Sequence, residues 1–175
     1  MHDDSPSGYG GFTRFLHWTM AVLVVLQFMK LGNYINDGEH WIGRNIVPWH
    51  VSTGALILVL AIVRVWWAVR QRPNRPQPEA MPGMVKLGHR LLYACLLLLP
   101  LLGVTFLIGG GYGLTIFGVN LVPRTDVEIP WLAAIGELHS PIALLFVLLV
   151  LGHIAAALYH HSFKRDRTLL RMLGR

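Results

Sequence analysis

The stretch LHSPIALLFVLLVLGHIAAALYHH, Leu138 to His161, decides the fold. It is apolar over the roughly 20 residues that a helix needs to cross a bilayer, and ionisable residues inside such a segment are costly and usually functional. His139 and His153 are 14 residues apart. In a helix this separation is about 1400°, some 40° short of four turns, with a rise of about 21 Å. One helix would therefore present both imidazoles on nearly the same face, near opposite sides of the membrane. Two stacked metal centres need this spacing, although two unrelated interfacial histidines would also produce it.

The composition indicates an integral membrane protein. Of 175 residues, 54% are hydrophobic and 14% are charged, against about 25% charged in soluble domains. The single cysteine, Cys95, excludes an intrachain disulfide, and the absence of a C-x-x-C-H motif excludes covalent haem attachment. The net charge of +6 is concentrated on one side of the predicted membrane topology, so it indicates contact with membrane lipid and not with nucleic acid.

Four apolar runs predict an all-α, integral membrane four-helix bundle that occupies residues 1–175 as one domain. The N-terminus has neither a basic region nor a small-residue cleavage site, so the first run is expected to be a retained helix. The predicted helices cover about residues 12–31, 47–69, 87–108 and 137–161.

Lysine and arginine near the helix ends predict the orientation. One side collects 12 of them: Arg14, Arg64, Arg70, Arg72, Arg75, Lys86, Arg90, Lys164, Arg165, Arg167, Arg171 and Arg175. The other side has three, namely Lys30, Arg44 and Arg124. Both termini are therefore expected in the cytoplasm. The outer loops carry five acids: Asp37, Glu39, Asp126, Glu128 and Glu137.

Four histidines match in pairs by depth. His17 and His153 fall near the cytoplasmic side, and His50 and His139 fall near the outer side. Pairs of imidazoles are suitable axial ligands for a haem iron that transfers electrons. Zinc fits less well because it prefers four protein ligands, or three and a water, and no carboxylate or thiol lies at either depth. The sequence predicts two stacked bis-histidine sites.

Small and basic residues surround these histidines. Gly54 and Gly152 would leave room for a macrocycle, or they serve ordinary helix packing. Arg64 lies 14 residues after His50 and should face the interior, where its planar fork suits a haem propionate; alternatively it extends to the lipid headgroups. Arg14 offers the same two interpretations.

His160 follows His153 by seven residues and lies on nearly the same helix face. It could hydrogen-bond a quinone carbonyl or pass a proton to it, and an interfacial histidine without function is the alternative. His89 has the same ambiguity.

From about residue 12 to residue 173, the chain resembles the bacterial cytochrome b561 family of four-helix dihaem proteins. The matching motifs are RFLHW (14–18), PWHVSTG (48–54), LGHRLLY (87–93), LH (138–139) and HIAAALYHHSFKRDRTLLRML (153–173). The resemblance implies a multi-pass protein of the bacterial inner membrane with two non-covalent b haems. The haem ligands would be His17, His50, His139 and His153. It also implies electron exchange with ubiquinone near His160 and, for some members, oxidation of superoxide at the periplasmic side.

Three functions compete at this point. The first is a free-standing quinone oxidoreductase with superoxide or another periplasmic donor. The second is a membrane-anchor cytochrome b subunit of a larger dehydrogenase or hydrogenase, which the short length disfavours. The third is a membrane module whose histidines are structural.

Overall fold

The structure, a computed structural model, describes residues 3–34, 40–76 and 82–175. Among these residues are four helical segments long and apolar enough to cross a membrane, which confirms the predicted bundle. The seven α-helices are α1 (Gly11–Phe28), α2 (Trp41–Asn45), α3 (His50–Arg70), α4 (Pro82–Gly109), α5 (Pro130–Glu137), α6 (His139–Tyr159) and α7 (Thr168–Leu173).

The helix boundaries depart from the predicted ones at several points. The first helix continues as a 3-10 helix, Met29–Tyr34, and a 3-10 turn, Val47–Trp49, precedes α3. Helix α4 begins at Pro82, earlier than expected. The fourth predicted helix is preceded by a separate one, because Glu137 ends α5 and α6 starts at His139. His139 therefore belongs to the same helix as His153, as their predicted common face requires.

A short β-hairpin, which the sequence analysis did not predict, follows α4. Strand β1 (Leu114–Ile116) pairs antiparallel with β2 (Val119–Val122). Phe117 and Gly118 join them with φ angles of 48° and 82°, the positive values that two-residue hairpin turns require. The Phe117 amide donates to Ser52 Oγ at 2.9 Å, which holds the hairpin against the start of α3. We call this end of the bundle the hairpin end.

The opposite end, which we call the termini end, carries residues 3–10 and α7. The buried Asp4 carboxylate accepts hydrogen bonds from the Gly10 amide at 2.8 Å and from Arg75 Nε at 2.9 Å. Gln71 Nε2 donates to Asp3 Oδ1 at 2.9 Å. These bonds tie the N-terminal segment to the end of α3. Residues 3–10 and α7 thus lie on one side of the bundle, and the cytoplasmic location of the termini stays a prediction. The outer acids Asp37 and Glu39 lie outside the described residues.

The core lies at the centre of the bundle and takes side chains from α1, α3, α4 and α6. It consists of Met20, Val24, Ile57, Ala61, Cys95, Leu96, Leu99 and Phe146. The outward faces of the helices remain apolar, with Leu148 of α6 60% exposed. Such a surface suits lipid and would be unfavourable in water.

Two glycines allow α4 and α5 to pack closely. A Cβ on Gly136 would collide with the backbone of Phe106, and a Cβ on Gly109 would collide with the backbone of Ala133. Because the obstacles are backbone atoms, no side chain can move to make room.

Gly136→Ala is expected to destabilise the protein by about 1–3 kcal/mol, the usual cost of overpacking. Gly83→Ala is the matched control, because a Cβ there would meet nothing within 4 Å. Unfolding in SDS, followed by far-ultraviolet circular dichroism, measures both. Equal stabilities of the two variants would contradict the close packing of α4 on α5.

Candidate haem-binding sites

His50 and His139 form a pair at the hairpin end. They are the first residues of α3 and α6, and their ring centres are 6.0 Å apart with an interplanar angle of 76°. His17 of α1 and His153 of α6 form a second pair, with ring centres 6.3 Å apart and an interplanar angle of 54°. The structure therefore brings together the same two pairs that the sequence predicts.

These separations match a metal ion held between two imidazoles. A metal–nitrogen distance of about 2.0–2.1 Å on each side, with about 1.1 Å from each nitrogen to its ring centre, places the two ring centres about 6.3 Å apart. The observed values of 6.0 and 6.3 Å therefore leave room for one ion in each pair. Two imidazole rings in direct contact, with no ion between them, could bring their centres closer together than this.

The orientation of His139 is fixed by α4. Its Nδ1–H donates to the Leu99 carbonyl oxygen at 2.9 Å, which leaves Nε2 as the atom with an available lone pair. Metal-binding histidines commonly donate their other ring N–H to a carbonyl in this way. Gly103 gives the ring its space, because a Cβ there would lie 3.4 Å from His139 Cε1 and Nδ1. The sequence analysis missed both α4 residues, since only the helix packing shows that they face His139.

His50 supplies an independent sign that the hairpin-end site needs a partner. Its Nδ1 is buried and has no hydrogen-bond partner among the described residues. Gln27 Nε2 donates instead to the His50 carbonyl oxygen and to Thr53 Oγ1, both at 3.0 Å. A metal ion or a polar group of a ligand would satisfy the unpartnered nitrogen.

His89 lies beside His153 at the termini end; the sequence alone leaves it between a quinone contact and an interfacial position without function. Its ring centre lies 5.5 Å from that of His153, and its Nδ1–H donates to the Val85 carbonyl at 2.8 Å. This separation is 6.3 − 5.5 = 0.8 Å shorter than that between His17 and His153. The distance therefore favours His17 over His89 as the partner of His153 across a metal ion.

Arg64 faces the bundle interior and not the lipid headgroups. Its Nη2 donates to His17 Nδ1 at 2.8 Å, and its guanidinium carbon lies 5.7 Å from the centre of the Tyr93 ring. The predicted interior position is thus correct, and the guanidinium places a permanent positive charge beside the His17–His153 pair.

The other predicted neighbours have different surroundings. A Cβ on Gly54 would lie 3.3 Å from Gln27 Nε2, so this glycine lets α1 approach α3. Gly152 has open space where a Cβ would stand. The Arg14 guanidinium lies against Gly174, beyond α7.

His160 begins a π-helical turn, His160–Lys164, that follows α6. Arg165 adopts the left-handed conformation with φ 52°, which turns the chain back and brings Asp166 to His160. His160 Nδ1 donates to Asp166 Oδ2 at 2.6 Å, and the Thr168 amide donates to Asp166 Oδ1 at 2.9 Å. Burial alone would raise the pKa of the Asp166 carboxyl, but these hydrogen bonds outweigh it and lower the pKa. The carboxylate therefore holds the His160 ring with Nε2 available.

Larger metal sites do not form from the described part of the chain. Within residues 3–34, 40–76 and 82–175, no group of three or more His, Cys, Asp or Glu side chains is placed to hold a metal ion. The site geometry is one of paired imidazoles, which suits a haem, whose macrocycle supplies the remaining ligands of the iron.

A family model described as prokaryotic cytochrome b561 matches residues 8–175. The chain belongs to the prokaryotic cytochrome b561 family. The match covers all four membrane-length helices and confirms the resemblance that the motifs indicated.

Several curated members of the cytochrome b561 family and related cytochromes are similar over nearly their full lengths. Cytochrome b561 homolog 2 of Escherichia coli is 31% identical, over 98% of this chain and 94% of its own. Cytochrome b562 of Cereibacter sphaeroides is 32% identical, over 93% and 95%. The probable superoxide oxidase CybB of Yersinia pestis is 27% identical, over 90% and 91%.

Membership of the cytochrome b561 family settles the general chemistry. The protein is a multi-pass protein of the bacterial inner membrane that binds b-type haem and transfers electrons within the membrane. It is an oxidoreductase in this general sense.

Arg64→Leu is expected to lower the midpoint potential of a haem held between His17 and His153, because a fixed positive charge disfavours ferric iron relative to ferrous iron. A unit charge roughly 10 Å away, at an effective dielectric constant of about 20, contributes about 1.7 kcal/mol, so the expected shift is several tens of millivolts. Arg64→Lys keeps the charge and is the control. Redox titration of the α-band measures both variants, and an unchanged potential in Arg64→Leu would contradict this electrostatic role.

Proposed function

We propose that the protein carries electrons across the membrane through two b haems, from a periplasmic donor at the hairpin end to ubiquinone at the termini end. The observation that supports this most directly is the presence of two imidazole pairs, with ring centres 6.0 and 6.3 Å apart, whose α6 histidines are separated by about four helical turns. His50 and His139 would hold one haem, and His17 and His153 would hold the other. Each haem, when bound, supplies an iron that accepts and releases one electron, so no amino-acid side chain has to be oxidised or reduced.

Neighbouring groups of the chain orient the histidine rings at these sites. At the hairpin end, the Leu99 carbonyl keeps the proton of His139 on Nδ1 and directs Nε2 to the site. At the termini end, the Arg64 guanidinium can only donate, so His17 Nδ1 is an acceptor in the observed contact. Ligation through His17 Nε2 would place the proton on Nδ1, and Arg64 would then need another acceptor. A propionate carboxylate has the planar geometry that suits it.

The direction of insertion follows from the distribution of charge. Twelve lysines and arginines are assigned to the termini end and three to the other side, and basic residues prefer the cytoplasmic side. We therefore infer that the termini end faces the cytoplasm and the hairpin end faces the periplasm.

Ubiquinone fits the termini end because its reduction to the quinol consumes two electrons and two protons. His160 is half-buried after α6, where water can supply protons, and its Nδ1–H is held by Asp166. The Nε2–H of the protonated ring would donate to a quinone carbonyl oxygen, and Asp166 would stabilise the positive charge until the proton leaves. Asp166 is thus a positioning residue for His160.

The periplasmic electron donor must be able to approach a surface that is predominantly acidic. The outer side carries five acids against three bases, and Arg124 shares its surface cavity with Asp126 and Glu128. Such a surface does not steer an anion towards the protein. Superoxide is the first donor to test, because the relative from Yersinia pestis carries the name probable superoxide oxidase.

The haem assignment predicts two haems per chain in a pyridine haemochrome assay. His50→Ala and His139→Ala should each remove the same haem and spare most of the other, while His17→Ala and His153→Ala should do the converse. His161→Ala, an exposed histidine outside the pairs, should keep both. One haem or none in the intact protein would contradict the proposal, and loss of a haem in His89→Ala but not in His17→Ala would replace His17 by His89.

The quinone assignment predicts slow quinone reduction in His160→Ala at full haem content. Loss of a positioned proton donor costs roughly 100-fold, and Asp166→Asn should show a smaller loss together with an altered pH profile. Stopped-flow oxidation of the pre-reduced protein by a short-chain ubiquinone measures both, with His161→Ala as control. Unchanged kinetics in His160→Ala would place the quinone elsewhere, with His89 the next residue to replace.

A further inference from the structure

A cavity of about 380 Å³ lies at the termini end, between the N-terminal segment and the chain beyond α6. Among the described residues that line it, one is acidic, Asp3, and four are arginines: Arg14, Arg167, Arg171 and Arg175. The haem and quinone assignments use none of the last three. Four guanidinium groups against one carboxylate side chain give the cavity lining an excess of positive charge, which favours a bound anion.

Three nearby carboxylates each accept hydrogen bonds from groups other than the cavity arginines. Asp3 Oδ1 accepts from Gln71, and Asp4 accepts from Gly10 and from Arg75. Asp166, which precedes the cavity residue Arg167, accepts from His160 and Thr168. The Nε of Arg14 is buried without a hydrogen-bond partner among the described residues.

The start of α1 adds a second positive element to the cavity. Gly10 and Gly11 line it, and α1 has neither a side-chain cap nor an acidic residue in its first turn. An 18-residue helix carries a partial positive charge at this end, and its first amides can bind an anion. A Cβ on Gly11 would meet nothing within 4 Å, so a ligand can approach the backbone there.

We propose that this cavity binds a phosphate group. The arginine fork matches phosphate oxygens in two parallel hydrogen bonds, and an uncapped helix start favours the same anion. The phosphate has two possible sources, the headgroup of an anionic phospholipid and free phosphate. The cavity lies where α1 enters the membrane, and basic pockets in this position bind lipid headgroups.

The bound phosphate would join the two ends of the chain. At present α7 meets α1 through the bond from Trp18 Nε1 to the Met172 carbonyl at 3.2 Å and through the packing of Arg14 on Gly174. An anion between Arg14 and Arg171 would add charge-assisted hydrogen bonds from both helices.

The test uses the full haem-loaded chain in two arms. In the first, the protein is purified from vesicles of phosphatidylcholine and phosphatidylglycerol, and native mass spectrometry measures the retained phosphatidylglycerol. In the second, the protein in phosphatidylcholine nanodiscs is titrated with inorganic phosphate at constant ionic strength, and the shift in melting temperature is measured. Retention in the first arm identifies a lipid headgroup. A shift in the second arm without retention in the first identifies free phosphate.

Arg171→Gln should weaken binding by about tenfold or more, the worth of one charge-assisted hydrogen bond. Arg175→Gln should also weaken binding. Because Arg175 lies beyond the last helix, this substitution should not disturb the folding of the protein. Arg72→Gln, an exposed arginine that does not line the cavity, is the control. Binding equal to wild type in both cavity variants overturns the proposal, and so does an equal loss in Arg72→Gln, which would mean general surface attraction.

Discussion

The bundle depends on one constraint, that polar groups placed inside hydrocarbon must find partners within the protein. Backbone groups meet it by forming helices. Imidazoles cannot do so alone, and the structure places them in pairs or against carbonyl groups. His139 reaches the Leu99 carbonyl and His89 reaches that of Val85. The histidines of a pair come from different helices, so satisfying them also fixes how α1, α3 and α6 pack.

Helix packing is adjusted to this requirement by residues that carry no charge. Gly103 leaves space for the His139 ring, and Gly54 lets Gln27 reach the start of α3. Gly109 and Gly136 bring α5 onto α4, just before α6 begins with His139. The position of the His139 imidazole is therefore set partly by close contacts between the backbones of α4 and α5.

Much of this arrangement could be predicted from the sequence. Hydrophobic length predicted the four membrane helices, and depth predicted the pairs of histidines. The 14-residue step from His50 to Arg64 predicted an arginine inside the bundle. The hairpin was missed because Phe117 at its turn is not a residue that sequence patterns associate with positive φ. The roles of His89 and Gly103 depend on how α4 is rotated against its neighbours, which no pattern within α4 records. Asp166 was missed because the left-handed Arg165 alone brings it back to His160.

The two histidine pairs have different hydrogen-bond partners, a carbonyl oxygen at the hairpin end and a guanidinium group at the termini end. The two ends of the bundle therefore differ in their electrostatic surroundings. A carbonyl that accepts the Nδ1–H of His139 makes the ring a stronger electron donor, which favours ferric iron. The guanidinium of Arg64 beside His17 has the opposite effect and favours ferrous iron. Electrons move spontaneously towards the site of more positive potential. In the proposed arrangement of two haems, the Arg64 charge and the Leu99 carbonyl would together lower the energy of an electron at the termini end relative to the hairpin end, so that transfer in that direction would be favoured over the reverse.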